Sequence, residues 1–285
     1  MDENPQLDNQ VMFMSSIPYA PQQNQLLAGL SQEVLNRVSS SLELVVLKRG
    51  DVLYESGGDG RRYVYFPIDC VISLLRDTEN GGSAEILMIG NEGLVGVSSL
   101  MGDDYSPWRA VVQNAGFAYR LLGHKLKDEF NRHGEVLKLM LRYTQSRIVQ
   151  MSQTAACNRH HSIDQQVCRW LLQSLDRLSG SHTITITQEG LGNALGVRRE
   201  GVTVAACKLD KLGLIKYSRG KITVVDRKKL EQLSCECYAA VRKETNRLLP
   251  VVQRNEQPAQ FWGRNFLPKV ERSFTTFTEN ELAAA

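Results

Sequence analysis

Three patterns in the chain predict an α+β protein with an all-β front half and a helical back half. Residues 42–123 hold four blocks of short β-branched and apolar runs broken by Gly, Asp and Asn, the pattern of a sandwich or barrel. Along 137–155, apolar residues recur in alternating steps of four and three, the period of a coiled-coil seam. From Thr187 to Leu209, two short helical patterns flank Gly196 and run on into a strand hairpin, the order of a winged helix-turn-helix.

Residues 1–26 are rich in Asn, Gln and Pro and poor in aromatics, which predicts a flexible arm. The pattern changes at Leu27. LLAGLSQEVLNRV reads as a short helix with Leu30, Val34, Leu35 and Val38 on one face. The four β blocks then complete a domain spanning 27–124.

Residues 125–157 read as one long helix. Leu137, Leu141, Thr144, Ile148, Met151 and Ala155 form its seam, which suits a second copy of the same helix and so a homodimer. The competing reading is a single helix packed on its own domain. A helix follows over 163–178, with Val167, Trp170, Leu171, Leu175 and Leu178 on its apolar face, and a short strand over 183–186. Trp170 reads as core of this C-terminal domain, 158–233, with no functional role. A C-terminal extension, 234–285, carries CECY at 235–238 and scattered aromatics such as Phe261 and Trp262 without periodicity.

The helix pair is where chemistry is expected. Thr187 suits an N-cap beside the phosphate backbone, and Leu191 and Leu195 face inward. Gly192 leaves room for a crossing helix, and Gly196 takes the positive φ of a sharp turn. The second helix, from about Arg198 to Lys211, buries Val202, Ala205, Ala206 and Leu209. Arg198, Arg199, Glu200, Thr203 and Val204 are left near its exposed start. Arg can bridge guanine O6 and N7, Glu can accept from cytosine N4, and an apolar group can meet a thymine methyl. The hairpin over 213–226 has Arg219 and Lys221 at its tip, placed to contact phosphates. The partner expected is double-stranded DNA.

Charge is distributed accordingly. Residues 1–157 carry 14 Lys and Arg against 18 Asp and Glu, and 158–230 carry 13 against 6. A net +7 over the helix pair and hairpin suits phosphate neutralisation, whereas the acidic front half does not. The N-terminus is acidic and lacks the features of an export signal, and no apolar run is long enough to cross a bilayer. A cytoplasmic protein with reduced thiols and no membrane partner is expected.

These residues resemble the Crp/Fnr transcription regulators. The likeness rests on TQEGLGNALGVRREGVTVAACKLDKLGLI, on YSRGKITVVD and on AACNRHHSIDQQVCRWLL, and extends more loosely over 28–235. It implies a β jelly-roll sensor domain of the cyclic-nucleotide-binding type, a dimerising helix, an inverted-repeat operator and contact with RNA polymerase. Arg199 and Glu200 match two base-reading positions of the family. Val204 stands where the cyclic-AMP receptor protein has a further Arg, so the resemblance does not carry over which DNA sequence is preferred.

The ligand cassette departs further. Gly96 matches the family's ribose-site Gly, but Val97 stands in place of the Glu, and the phosphate Arg falls near Pro107 or Trp108. Arg109 is one or two residues away, which sends a strand side chain to the wrong face. Cyclic AMP is therefore not the expected ligand; another small-molecule effector, or none, fits better, and no resident cofactor is assigned.

No metal site is assigned either. Cys235 and Cys237, two apart, would point to different sides of a helix, although Cys157, His160 and His161 could join them in space as a thiol-based redox switch. The N-terminal cysteine cluster of oxygen-sensing relatives is missing. With no phosphate-binding Gly loop, GxSxG or HExxH motif, an enzyme is not expected. The remaining alternative is a ligand-binding signalling module that uses the helix pair for protein contacts.

Overall fold

The computed structural model describes residues 19–57, 63–79, 81–102, 106–178, 182–250 and the backbone of 269–270. The arm predicted for 1–26 therefore lies largely outside the described residues, as do the aromatics at 261–277. Residues 19–26 do not belong to an arm. Asn24 is fully buried, with its Nδ2 donating to the Pro67 and Gly93 carbonyls and its Oδ1 capping the helix α1, Gln25–Ala28. Where one helix was predicted there are two. Ser31 accepts from Val34 N and starts α2, Gln32–Ser39, which buries Val34, Leu35 and Val38.

The β blocks form two facing sheets. Strands β1 (Glu43–Leu47), β3 (Tyr63–Pro67) and β7 (Gly116–Leu122) make one, with β7 antiparallel to both neighbours. The short strand β11 (Lys269–Val270) lies parallel to β1 at its edge. Strands β2 (Val52–Tyr54), β4 (Val71–Asp77), β5 (Ser83–Ile89) and β6 (Arg109–Asn114) make the other sheet, in the order β2-β6-β4-β5. Alternating side chains from the two sheets, among them Val45, Tyr54, Ile72, Leu74, Val112 and Ala118, fill the space between them.

The predicted 125–157 helix is also two: α3, Gly123–Phe130, and α4, Glu135–His160. His133 at φ 56° and Gly134 just before α4 break the run, since a left-handed residue cannot continue a right-handed helix. Val136, Leu139, Met140 and Tyr143 of α4 pack on the β domain's outer core.

The winged domain begins with α5, Ile163–Arg177, closed at its start by a reciprocal capping box between Ser162 and Gln165. Next come β8 (Thr183–Thr185), α6 (Gln188–Leu195), α7 (Arg199–Lys211), β9 (Ile215–Ser218) and β10 (Lys221–Val224). The three strands form a sheet in the order β8-β10-β9. Two further helices, α8 (Arg227–Leu233) and α9 (Glu236–Leu248), follow, and α9 returns to pack along α4. Over 236–248 the extension is thus a helix packed on α4.

Candidate nucleic-acid interface

Local chemistry sets up the helix pair as predicted. Thr187 Oγ1 accepts from Gly190 N at 3.0 Å and caps α6. Gly196 takes φ 66° at its end. A Cβ on Gly192 would approach the Val197 carbonyl to 3.0 Å, so α7 crosses close against α6 because that residue is glycine. Val202, Ala205, Ala206 and Leu209 of α7 are buried together with Leu191 and Leu195.

The opposite side of α7 is open. Arg198, Arg199 and Glu200 are exposed, and Val204 is 68% exposed, more than any other large apolar residue described. Thr203 is half-buried. Its Oγ1 donates to Gln188 Oε1 at 2.8 Å and lies 3.0 Å from the Arg199 carbonyl, so Gln188 braces the first turn of α7. Gln188 is a positioning residue that the sequence reading passed over. At the wing, Arg219 (φ 49°) and Gly220 (φ 76°) make the two-residue turn between the paired Ser218 and Lys221. Arg219 and Lys221 are exposed beside Gly220, and Gly220 itself faces Thr187 Cγ2. The wing tip and the cap of α6 therefore flank one exposed surface with the start of α7.

The seam of α4 has the same character. Leu141 and Ile148 are 56% and 51% exposed in the single chain; Ala155 is exposed, and Leu137 and Thr144 are half-buried. Met151 alone packs against the interior of its own β domain. The helix thus lies on its own domain by one face and leaves most of the predicted seam uncovered on another, so the two readings of it are compatible.

In the β domain, Gly96 takes φ 102° and Val97 opens a 3-10 turn to Leu100. Arg109 is engaged elsewhere: its Nε and Nη2 donate to Asp77 at 3.1 and 3.2 Å.

Trp170 differs from the expectation of a plain core residue. Its indole nitrogen donates to Glu85 Oε1 of β5 at 3.0 Å, joining the winged domain to the β domain. Ser73 Oγ donates to the other oxygen of Glu85 at 2.5 Å. Nearby, Glu92 Oε1 takes Arg147 Nη1 of α4 at 3.1 Å and Arg177 Nε of α5 at 2.9 Å. Burial pushes the Glu92 carboxyl up, but the charges of Arg177 and Arg147 outweigh it and hold the group below the usual carboxylate range. The joint runs along one side of α5. Gln166, Arg169, Gln173 and Arg177 step by three or four along α5 and are all buried, a polar stripe where a solvent-facing one would be charged and exposed.

Cys235 and Cys237 converge, contrary to the expectation that they face apart. Cys235 is the N-cap of α9, with extended backbone, and Cys237 lies in the first turn, so helical spacing does not apply between them.

No curated protein sequence matches the chain. Residues 165–233 match the Crp-like helix-turn-helix domain. Among solved structures, FixK2 from Bradyrhizobium japonicum superposes with a TM-score of 0.59 at 15% identity, over 68% of this chain and 98% of that one. A putative transcriptional regulator of the Crp/Fnr family from Eubacterium rectale gives 0.57 at 20% identity, over 74% and 98%. The c-di-GMP responsive global regulator CLP from Xanthomonas campestris gives 0.54 at 13%, over 69% and 100%. Residues 165–233 thus carry a Crp-like helix-turn-helix domain, a DNA-binding unit, and the chain as a whole has the fold of those regulators.

Proposed function

We propose that the protein acts in the cytoplasm as a homodimer that reads an inverted-repeat operator in double-stranded DNA. The observation that carries this reading is the shared surface made by the start of α7, the wing tip and the Thr187 cap. Arg198, Arg199, Glu200, Thr203 and Val204 are the groups offered to base edges in a major groove. Arg219, Lys221 and the α6 N-terminus at Thr187 lie where they meet the backbone. The exposed seam of Leu141 and Ile148 supports pairing of two α4 helices, which sets two α7 helices about one DNA turn apart. Dimers of this kind present a surface to RNA polymerase, the protein partner we assign.

The β domain receives the signal in this reading. Val97 in place of a ribose-binding carboxylate, and Arg109 committed to Asp77, argue against cyclic AMP. The effector we assign is a different small molecule. A signal reaches the DNA-binding surface through Glu85–Trp170 and Glu92–Arg177, which cross the boundary between domains. Among the described residues no helix is long and apolar enough to cross a membrane.

The test is binding of labelled duplex DNA across a salt series. Counterion release predicts a steep linear fall of log affinity with log salt, with a slope of about −0.9 per phosphate contacted. A flat dependence would instead support a module that uses the helix pair for protein contacts.

A further inference from the structure

The start of α9 meets the end of α4, and four potential metal ligands come together there. Cys157 Sγ is 3.5 Å from Cys235 Sγ, and Cys237 Sγ is 3.5 Å from His161 Nδ1. All four ligand atoms lie within 4.8 Å of one another. The three cysteines are buried and form a small cluster of their own, apart from the three larger cores. A tetrahedral ion with metal–sulfur bonds of about 2.3 Å and a metal–nitrogen bond of about 2.0–2.1 Å needs its ligand atoms roughly 3.5–3.8 Å apart. The Cys157–Cys235 and Cys237–His161 pairs are already near that separation.

The surroundings suit a metal as well. Glu236 Oε1 lies 3.2 Å from His161 Nε2, the far side of the ring, where an outer carboxylate orients a ligating imidazole and fixes its tautomer. Cys235 and Cys237 sit at the N-terminus of a 13-residue helix, whose positive end favours thiolates. The ligand atoms are too close together to span the corners of an iron–sulfur cubane, so the site suits a single ion.

We propose that Cys157, His161, Cys235 and Cys237 hold one zinc ion in a Cys3His tetrahedron that pins α9 to the hinge between α4 and the winged domain. Three soft thiolates and an imidazole select zinc among common divalent ions, and a full protein ligand set marks a structural rather than a catalytic centre. Binding releases three thiol protons to solvent and leaves the site with a net charge of −1. His161 caps α4 and Ile163 begins α5, so the ion fixes the segment that sets the direction of the DNA-binding domain. The site stands independently of which DNA sequence, if any, the protein reads.

The test uses full-length protein purified under reducing conditions. Elemental analysis should give one zinc per chain, and X-ray absorption at the zinc edge should show three sulfurs at about 2.3 Å and one nitrogen at about 2.0 Å. Cobalt exchanged into the site should give the intense visible bands of tetrahedral thiolate coordination. Cys237→Ser and His161→Ala should lose them. Cys207→Ser, which changes an exposed thiol outside the cluster, should keep them. Glu236→Gln removes an exposed carboxylate and should weaken zinc binding about 10–100-fold without altering the fold. The proposal is overturned if the unmutated protein takes up no zinc from a metal buffer, if its absorption spectrum lacks a sulfur shell, or if the cobalt bands survive in Cys237→Ser.

Discussion

Trp170 of the DNA-binding domain donates its indole N–H to Glu85 of the β domain at 3.0 Å, with both side chains buried. Burial pushes the Glu85 carboxyl up to about 7, against the hydrogen bonds from Ser73 and Trp170 and the charges of Arg169 and Arg177. The folded protein thus keeps a proton that the unfolded chain, with the ordinary carboxyl value of 4.5, gives up earlier. Stability from this group is fully present below that ordinary value and is lost as pH rises towards 7. Urea unfolding between pH 5 and pH 8 should show the fall. Glu85→Gln, which stays neutral and keeps an acceptor for the indole, should flatten it; an unchanged slope in that variant would assign the effect to another group.

Glu92 is held by two buried arginines, Arg147 and Arg177, from different domains. Removing it in Glu92→Ala leaves both guanidinium charges buried without a counter-ion, and chemical denaturation should show a loss of about 3–5 kcal/mol. Replacing all three residues together with apolar side chains of similar volume should recover most of that stability. If the triple variant is as unstable as the single one, the cost lies in packing rather than in unpaired charge.

Leu141 and Ile148 are exposed on α4, and the proposed dimer covers them. Changing both to Lys should convert a dimer to a monomer in sedimentation while leaving the circular dichroism unchanged, since neither side chain is buried within its own chain. A dimer that persists would place the interface elsewhere.

Arg199 and Lys221 should fail differently. Arg199→Ala should cost about 1–3 kcal/mol on the selected operator and relax discrimination at one base pair. Lys221→Ala should weaken selected and random duplexes alike and reduce the salt slope by about one. Competition assays on both DNAs separate the two roles.

The helix-turn-helix was legible in the sequence because its determinants are local. Thr187, Gly192 and Gly196 act on neighbours within a few residues, and the apolar steps of α7 follow one helical period. The β domain was legible as a class, from turn signals between β-branched runs, but its strand order depends on pairings such as Leu47 with Gly116, far apart in sequence. The break before α4 was missed because His133 gives no local reason to leave the helical region, and Gly134 alone is a weak one. The domain joint was missed for another reason. A buried Arg177 looks the same in sequence as a solvated one until Glu92 is placed against it. The thiol cluster was misread through a helical spacing that does not hold across a cap, where Cys235 is extended and Cys237 is not.

Selection of bound duplexes from a random DNA library, at two salt concentrations and with and without cell extract to supply effectors, tests the central claim most directly. The account predicts an enriched inverted repeat with half-sites about one helical turn apart, retained at the higher salt. Failure to enrich any sequence under all four conditions, with weak binding that vanishes at the higher salt, would contradict it.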